Sequence, residues 1–128
     1  MRILYVEDDQ TIALTTAKQL FLHTNHVVTV CQTISSAIRI IDKYAKNVDV
    51  IILDLRLPDG YGFELIHRME HANINIPIIV TSGYCGEFSY ELERCERLKI
   101  IKCALAKPFT LGKLLDQLKL IEKSTSRE

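Results

Sequence analysis

The sequence has no tryptophan, only three prolines and five glycines, and no apolar run near the roughly 20 residues of a membrane span. A membrane-spanning segment is therefore not expected. With 48% hydrophobic residues and little proline or glycine, the composition excludes a largely disordered chain. The 128 residues suffice for one domain and are too few for two ordinary ones. Because the first residues turn acidic at Glu7, they do not resemble a secretory signal, and we expect a cytoplasmic protein.

The chain also lacks an excess of charge. Sixteen basic and sixteen acidic residues give a formal net charge of +0. Since nucleic-acid-binding proteins usually carry a basic excess that neutralises phosphates, we expect no direct nucleic acid binding by this domain. Neither G-x-G-x-x-G nor G-x-x-x-x-G-K-[ST] occurs, which also disfavours nucleotide binding.

The cysteines and histidines do not form a metal motif. No C-x-x-C pair is present, and Cys31 and Cys103 lie in apolar runs where reduced, buried thiols are the ordinary outcome. Two histidine pairs have a spacing compatible with metal binding, His23 with His26 and His67 with His71. Because no third and fourth ligands cluster near either pair in the sequence, we expect no zinc site.

Short aliphatic runs alternate strictly with helical periodicities. Such alternation predicts an α/β fold with a parallel sheet covered by helices on both faces. Thr33 and Thr110 are expected to cap the helices that follow them. We expect one domain over 1–122 and a polar tail or linker start over 123–128. The predicted strands cover 3–6, 27–31, 48–53, 78–80 and 100–105, and the helical stripes fall within 10–22, 34–44, 63–69, 88–95 and 111–121.

The third predicted strand ends in a carboxylate, Asp54. Four consecutive aliphatic residues precede it, which is typical of a strand buried on both faces, and Pro58, Gly60 and Gly62 turn the chain soon afterwards. In open α/β sheets, ligands bind beyond the carboxyl ends of the strands. Asp54 therefore lies where such a fold would perform its chemistry.

Other polar side chains follow the ends of the neighbouring strands. In a doubly wound five-stranded sheet of order 2-1-3-4-5, these strand ends would gather into one pocket Glu7, Asp8, Asp54, Thr81 and Lys107. Clustered carboxylate oxygens suit a hard cation such as Mg²⁺. A carboxylate nucleophile facing a metal, an ammonium group and a hydroxyl donor is suited to phosphoryl transfer.

Each of these residues also has a structural explanation. The acidic run 7–9 could simply favour the N-terminus of the first helix through the helix dipole. Thr81 could be a turn residue at a strand end, and Lys107 a solvated lysine. What favours the functional interpretation is the combination, with each residue at the end of a different strand.

The motifs resemble those of the receiver domain of two-component response regulators. They are the segments 3–9 (ILYVEDD), 51–62 (IILDLRLPDGYG), 79–82 (IVTS) and 107–109 (KPF). The resemblance covers essentially residues 1–122 and implies a flavodoxin-like, or CheY-like, (βα)5 sandwich.

The resemblance implies a role for each site residue. Asp54 would be the phosphoacceptor, receiving a phosphoryl group from a sensor histidine kinase or a histidine phosphotransfer protein. Thr81 and Lys107 would each contact a phosphoryl oxygen. Mg²⁺ would be the cofactor, bound by Glu7, Asp8, Asp54 and the backbone carbonyl of Arg56. Asp9, one residue beyond the acidic pair, is better interpreted as a helix cap.

The chain departs from the family pattern in the segment between Thr81 and Lys107. This segment is longer than the family usually has, and Ile100 and Ile101 stand where Gly-Ala commonly precedes the fifth strand. Most receivers have Tyr or Phe three residues before the lysine, where this chain has Ala104. We therefore predict an atypical switch in which the segment 83–98 rearranges, with signalling through the 83–122 face. The output partner or effector domain is not identified, and a homodimer through the fourth helix, fifth strand and fifth helix is possible within this family.

Two other functions fit parts of the sequence less well. An aspartyl-phosphate hydrolase needs a second Asp two residues after its nucleophile, and here that residue is Arg56. We therefore expect no enzyme acting on external substrates, only a domain that catalyses its own phosphorylation and dephosphorylation. A scaffold that is never phosphorylated is conceivable because of Ala104, but the presence of all five pocket residues argues against it.

Overall fold

Five aliphatic segments of the chain form one parallel sheet. The computed structural model describes residues 1–83, 93–94 and 99–125. The strands of this sheet are β1 (Arg2–Val6), β2 (Val27–Cys31), β3 (Val50–Asp54), β6 (Ile78–Ser82) and β7 (Ile101–Ala106), while β4 (Arg56–Leu57) and β5 (Gly60–Tyr61) form a separate hairpin. The order across the sheet is β2-β1-β3-β6-β7. Counting only these five strands along the chain, the order is 2-1-3-4-5, which confirms the predicted doubly wound, flavodoxin-like topology.

Helices connect the strands and cover both faces of the sheet. They are α1 (Gln10–His23), α2 (Ile34–Tyr44), α3 (Phe63–His71) and α4 (Leu111–Thr125). Helix α4 is the fifth helix of the sequence prediction, and it includes the beginning of the segment assigned to the polar tail. The predicted helix within 88–95 lies outside the described residues, apart from Glu93 and Arg94, which are helical.

A two-stranded hairpin lies outside the prediction. Strands β4 (Arg56–Leu57) and β5 (Gly60–Tyr61) pair in antiparallel fashion directly after β3. These strands are too short to leave a periodic pattern in the sequence. The sequence around Pro58 therefore predicted only a turn. Gly60 has φ +146°, a conformation that side-chain-bearing residues rarely adopt, so glycine is needed there.

Two apolar clusters lie on opposite faces of the sheet. Strand β3 is buried along its whole length, as predicted for a central strand, and its residues alternate between the two clusters. One cluster contains the apolar faces of α2 and α3. The other contains Leu20 of α1 together with Leu114, Leu118 and Ile121 of α4. This two-sided burial fixes the strand positions and therefore the positions of their carboxyl ends.

The predicted helix caps are confirmed. The side chains of Asp9, Thr33 and Thr110 each accept a hydrogen bond from the backbone N–H three residues later, at 3.1 Å in every case. Among the described residues, no helix is both long enough and apolar enough to cross a membrane.

The two cysteines among the described residues lie in strands, as predicted. Cys31 is buried and Cys103 is half-buried, and both are reduced thiols. Burial raises the pKa of each thiol to about 11, so both are protonated and unreactive near neutral pH.

Candidate functional site

The candidate site lies at the carboxyl edge of the sheet, where β1, β3 and β6 end side by side. Glu7 follows β1, and its N–H donates to the carbonyl of Cys31 at 3.0 Å. Asp54 is the last residue of β3 and pairs in register with Thr81 of β6. Parallel pairing therefore brings together residues that lie far apart in sequence, as expected for this edge of the sheet.

Lys107 completes the site from the neighbouring strand. Its backbone N–H donates to the carbonyl of Ser82 at 2.8 Å, which holds the residue just beyond β7. Its Nζ donates to Oδ2 of Asp54 at 2.7 Å and also to Oε1 of Glu7. One ammonium group thus bridges two carboxylates from different strands.

These charged groups are removed from water to different degrees. Glu7 and Thr81 are fully buried, Asp54 is almost so, and the side chain of Lys107 is 21% exposed. Burial raises the pKa of Glu7, and the opposing hydrogen bond from Lys107 does not fully compensate. For Lys107, burial acts to lower the pKa, but the hydrogen bonds to Asp54 and Glu7 outweigh it and leave the pKa raised. Lys107 is therefore a firmly protonated cation.

Glu7, Asp8 and Asp54 form a group that fits a hard divalent cation. Each offers one carboxylate oxygen, and these oxygens all lie within 4.8 Å of one another. Glu7 is buried with a raised pKa, so a further positive charge beside it would stabilise its ionised form. Asp8 is exposed and leaves one side of the group open to solvent. Carboxylates with an open side suit Mg²⁺, which keeps several of its waters.

The hydroxyl of Thr81 is buried. Within the described part of the chain, its Oγ1 has no hydrogen-bond partner. A buried hydroxyl without a hydrogen bond costs stability, so such a group points to a ligand. Its position beside Asp54 in the β3–β6 register places that unused donor next to the carboxylate.

The turn after β3 packs tightly against Asp54. A Cβ added at Gly62 would lie 2.7 Å from the carbonyl oxygen of Asp54, so this position requires glycine. The N–H of Arg56 donates to Oδ1 of Asp54 at 3.1 Å. Thus the two oxygens of Asp54 have different partners, a backbone amide and the ammonium of Lys107. The assignment of the Arg56 carbonyl as a metal ligand stays a prediction.

Two features of the site were not predicted from the sequence. The first is the double contact of Lys107, which was expected to meet a phosphoryl oxygen rather than both carboxylates. The sequence did indicate this contact indirectly, because it placed two carboxylates and one lysine at the same edge of the sheet. The second is Asp59, whose carboxylate accepts hydrogen bonds from the N–H groups of Ile34 and Ser35 at 2.9 and 3.0 Å. This links the turn beside Asp54 to α2.

The histidine pairs do not gather into a metal site within the described part of the chain. The one cluster of possible ligands found there is the acidic group around Asp54. The Nδ1 of His26 instead accepts a hydrogen bond from the amino group of Met1 at 2.8 Å, and its Nε2 lies 3.4 Å from a carboxylate oxygen of Glu122.

Comparisons with known proteins agree with this geometry. The family profile described as response regulator receiver domain matches residues 3–119. The cell cycle response regulator CtrA of Brucella ovis is 33% identical over 86 residues, which cover 67% of this chain and 36% of CtrA. The chain spans little more than a third, or less, of the length of the curated relatives it matches.

Solved receiver domains have the same fold. The non-phosphorylated HemR receiver domain from Leptospira biflexa aligns with a TM-score of 0.76 and 30% identity, covering 94% of this chain and 92% of that one. The receiver domain of the Francisella response regulator 1452 aligns with a TM-score of 0.81 and 26% identity, covering 97% and 98% of the two chains. The strand-end carboxylates, the bridging lysine and these matches lead to one conclusion: the chain belongs to the response regulator receiver domain family.

Proposed function

We propose that this chain is a phosphorylation-controlled signalling module of a two-component phosphorelay. In this proposal, Asp54 accepts a phosphoryl group from a phosphohistidine on a sensor histidine kinase or a histidine phosphotransfer protein. The family assignment supports phosphorylation on an aspartate. The observation that carries the proposal is the contact of Lys107 Nζ with Asp54 Oδ2 at 2.7 Å, next to the buried Thr81 hydroxyl.

The residues divide the chemistry among them. One carboxylate oxygen of Asp54 forms a bond to phosphorus while the phosphorus–nitrogen bond of the donor breaks. The electron pair of that bond returns to the imidazole ring, which takes up a proton and leaves as neutral histidine. Lys107 and the Thr81 hydroxyl are suited to contact phosphoryl oxygens, since one is a firmly protonated cation and the other an unused donor.

Glu7, Asp8 and Asp54 would hold Mg²⁺, with the carbonyl of Arg56 as a further ligand. When bound, the ion supplies positive charge that offsets the repulsion between these carboxylates and an incoming phosphoryl group. The protein's own contribution is to fix the three carboxylates at the ends of two paired strands, with their oxygens within 4.8 Å of one another.

Hydrolysis of external phosphate esters is the alternative that we do not favour. It would need an acid/base group two residues beyond Asp54, and that residue is the exposed Arg56, whose N–H binds Asp54. We therefore propose that the domain catalyses only its own phosphorylation and dephosphorylation. A scaffold that is never phosphorylated is also disfavoured, because it would have no need of a buried hydroxyl beside the carboxylate that none of the described residues binds.

An atypical switch is part of the proposal. Ala104 pairs in register with Val80, next to Thr81, and it has no aromatic ring that could move in response to phosphorylation. We propose that the segment 83–98 rearranges instead and signals through the 83–122 face. Amide exchange with and without a beryllofluoride phosphoryl mimic tests this, and unchanged exchange over 83–98 would reject it.

The cellular location and the oligomeric state are also proposals. We place the chain in the cytoplasm, where a kinase could reach it, and allow for a homodimer through the face that contains β7 and α4. Sedimentation of the phosphorylated and unphosphorylated chain would decide the oligomeric state.

The central experiment is phosphorylation by acetyl phosphate with Mg²⁺, followed by intact mass. We expect one added phosphoryl group, which is absent in Asp54→Asn and present in Asp116→Asn, a matched change at an exposed acid of α4. Steady release of phosphate from added monoesters would favour the hydrolase, and an unmodified wild-type chain would favour the scaffold.

A further inference from the structure

Strand β2 forms an edge of the sheet, and no described residue gives this edge the usual protection. It pairs with β1 in parallel, and the N–H of Val27 donates to the carbonyl of Met1 at 2.9 Å. In a parallel pair, alternate residues direct their backbone groups to the partner strand, so those of Val28 and Val30 face outward. The sequence of β2, VVTVC, has no proline, lysine or bulge to block a further strand.

Apolar side chains flank this edge. Phe21 and Leu22 at the end of α1 are 73% and 61% exposed, Val27 at the start of β2 is 64% exposed, and Tyr44 at the end of α2 is 47% exposed. An apolar groove of about 340 Å³ runs between β2 and α2, and its lining includes Val27, Thr29, Ile40, Tyr44 and Val48. Exposed apolar surface beside an open strand edge is typical of an interaction site.

The part of the sequence that contains this edge carries a positive charge although the chain is neutral. From residue 10 to residue 46 the sequence has four cationic residues, Lys18, Arg39, Lys43 and Lys46, and a single acid, Asp42. Asp42 is already paired with Arg68, at 2.6 Å. The Nζ of Lys43 lies 5.3 Å from the centre of the Tyr44 ring, and Arg2 also lines the groove. The nearby Asp49 carboxylate accepts the N–H of Arg2 at 2.6 Å.

We infer that the β2 edge binds an acidic, extended segment of a partner protein, which adds a sixth strand beside Val28 and Val30. Its backbone pairs with the outward N–H and C=O groups of β2, and every second side chain enters the groove between β2 and α2. Its acidic residues lie near Lys43, Lys46 and Arg2, which carry the complementary charge.

Two other occupants fit the observations less well. A second copy paired through β2 would bring like charges such as Lys43 and Lys46 towards their counterparts. An anionic membrane would attract the same cations, but the outward backbone groups of Val28 and Val30 would lose water without gaining partners. An acidic peptide strand supplies both the negative charge that complements these cations and the backbone partners for Val28 and Val30.

The probe is a fluorescent peptide of about eight residues that alternates valine and glutamate, long enough to span β2. We expect saturable, salt-sensitive binding to the full chain. The amide signals of Val28 and Val30 should shift, and their hydrogen exchange should slow. A peptide that alternates valine and lysine is the charge control. Because the inference does not depend on phosphorylation, Asp54→Asn should bind equally well.

Matched variants separate charge from shape. Lys43→Glu should weaken binding about fivefold or more, and Tyr44→Ala should weaken it by a similar factor. Two controls lie on exposed positions of α4 and should leave binding unchanged. They are Lys119→Glu, the same charge reversal, and Leu120→Ala, which also truncates an exposed apolar side chain.

Four results would overturn the inference. The first is equal binding of the lysine peptide, and the second is amide shifts confined to residues outside β2 and α2. The third is that vesicles of phosphatidylserine and phosphatidylcholine, but not the peptide, perturb Val28 and Val30, which would assign the edge to a membrane. The fourth is concentration-dependent self-association through the same amides, which would assign it to a second copy.

Discussion

The carboxylate of Asp59 accepts a hydrogen bond from the backbone N–H of Ile34 at 2.9 Å, across 25 residues of sequence. A second bond from Ser35 N–H, at 3.0 Å, completes a cap on the first turn of α2. Thr33 binds the N–H of Ser36, so the helix start has two side-chain caps from different parts of the chain. The turn that follows Asp54 is thereby tied to α2.

We expect Asp59→Ala to lower the free energy of unfolding by about 1 kcal/mol near pH 7, the usual cost of a lost helix cap. The hydrogen bond from Ile34, followed by that from Ser35, lowers the pKa of Asp59 in the fold. Its contribution is therefore present above the unfolded pKa near 4 and is lost as pH falls through the lower folded pKa. Urea unfolding at pH 7 and pH 3 should show the difference shrinking. Asp116→Ala is the control, and an equal loss in both variants would contradict the cap.

Thr81→Val is expected to separate function from stability. The hydroxyl has no partner among the described residues, so replacing it with a methyl group should leave the melting temperature unchanged or raise it. The same change removes a donor beside Asp54 and should slow phosphorylation by acetyl phosphate by about tenfold or more. Thermal unfolding and timed intact-mass measurements give the two readouts. A clear loss of stability would mean that the hydroxyl has a structural role.

Lys107→Ala should impair both the reaction and the fold. We expect phosphorylation to slow about a hundredfold, because the cation beside Asp54 is lost. Stability near pH 7 should fall by roughly 1–3 kcal/mol, since Glu7 and Asp54 are left without their shared partner. The loss of stability should shrink at acidic pH, where Glu7, whose pKa burial already raises, becomes neutral. Urea unfolding in the presence of a chelator measures the stability without bound metal. The variant Lys107→Arg tests whether a positive charge alone restores the rate and the stability.

Magnesium should stabilise the chain through the acidic group. At a concentration ten times the dissociation constant, a ligand that binds only the folded state adds about 1.4 kcal/mol to the free energy of unfolding. We expect Mg²⁺ to raise the melting temperature of the wild type and of Asp116→Asn, but not of Asp8→Asn. If Asp8→Asn responds as the wild type does, Asp8 is not a ligand.

His26 should make stability depend on pH. Burial, followed by the nearby amino group of Met1, lowers its pKa in the fold, although the carboxylates of Glu122 and Asp49 oppose this shift. The unfolded chain therefore binds the proton first, and stability should decline as pH drops below about 6.5. In His26→Gln this part of the decline should disappear, whereas His71→Gln, on the exposed end of α3, should retain it. Chemical unfolding at pH 8 and pH 5.5 measures the difference.

The sequence by itself determined the sheet and which polar residues lie at its carboxyl edge. An aliphatic run such as Ile51–Leu53 is removed from water only when both faces of its strand are buried. The alternation of such strands with amphipathic helices allows few topologies. Because parallel strands end at one edge, the sequence alone predicts that Glu7, Asp54 and Thr81 lie together. Helix caps were also predictable from the sequence, because they are local. Asp9, Thr33 and Thr110 each accept a hydrogen bond from the backbone N–H three residues later.

Only the tertiary structure decided how these groups use one another. Three findings depend on distances between segments that are remote in sequence. Lys107 bridges Glu7 and Asp54, and Asp59 caps a helix that begins 25 residues earlier. The Thr81 hydroxyl has no partner among the residues that the structure describes. The solvent exposure of the β2 edge also depends on the tertiary structure, because the packing of other segments decides which strand edge is left uncovered. Residue type and periodicity fix what each segment can bury, whereas contacts between segments form only once the whole core has set their separation.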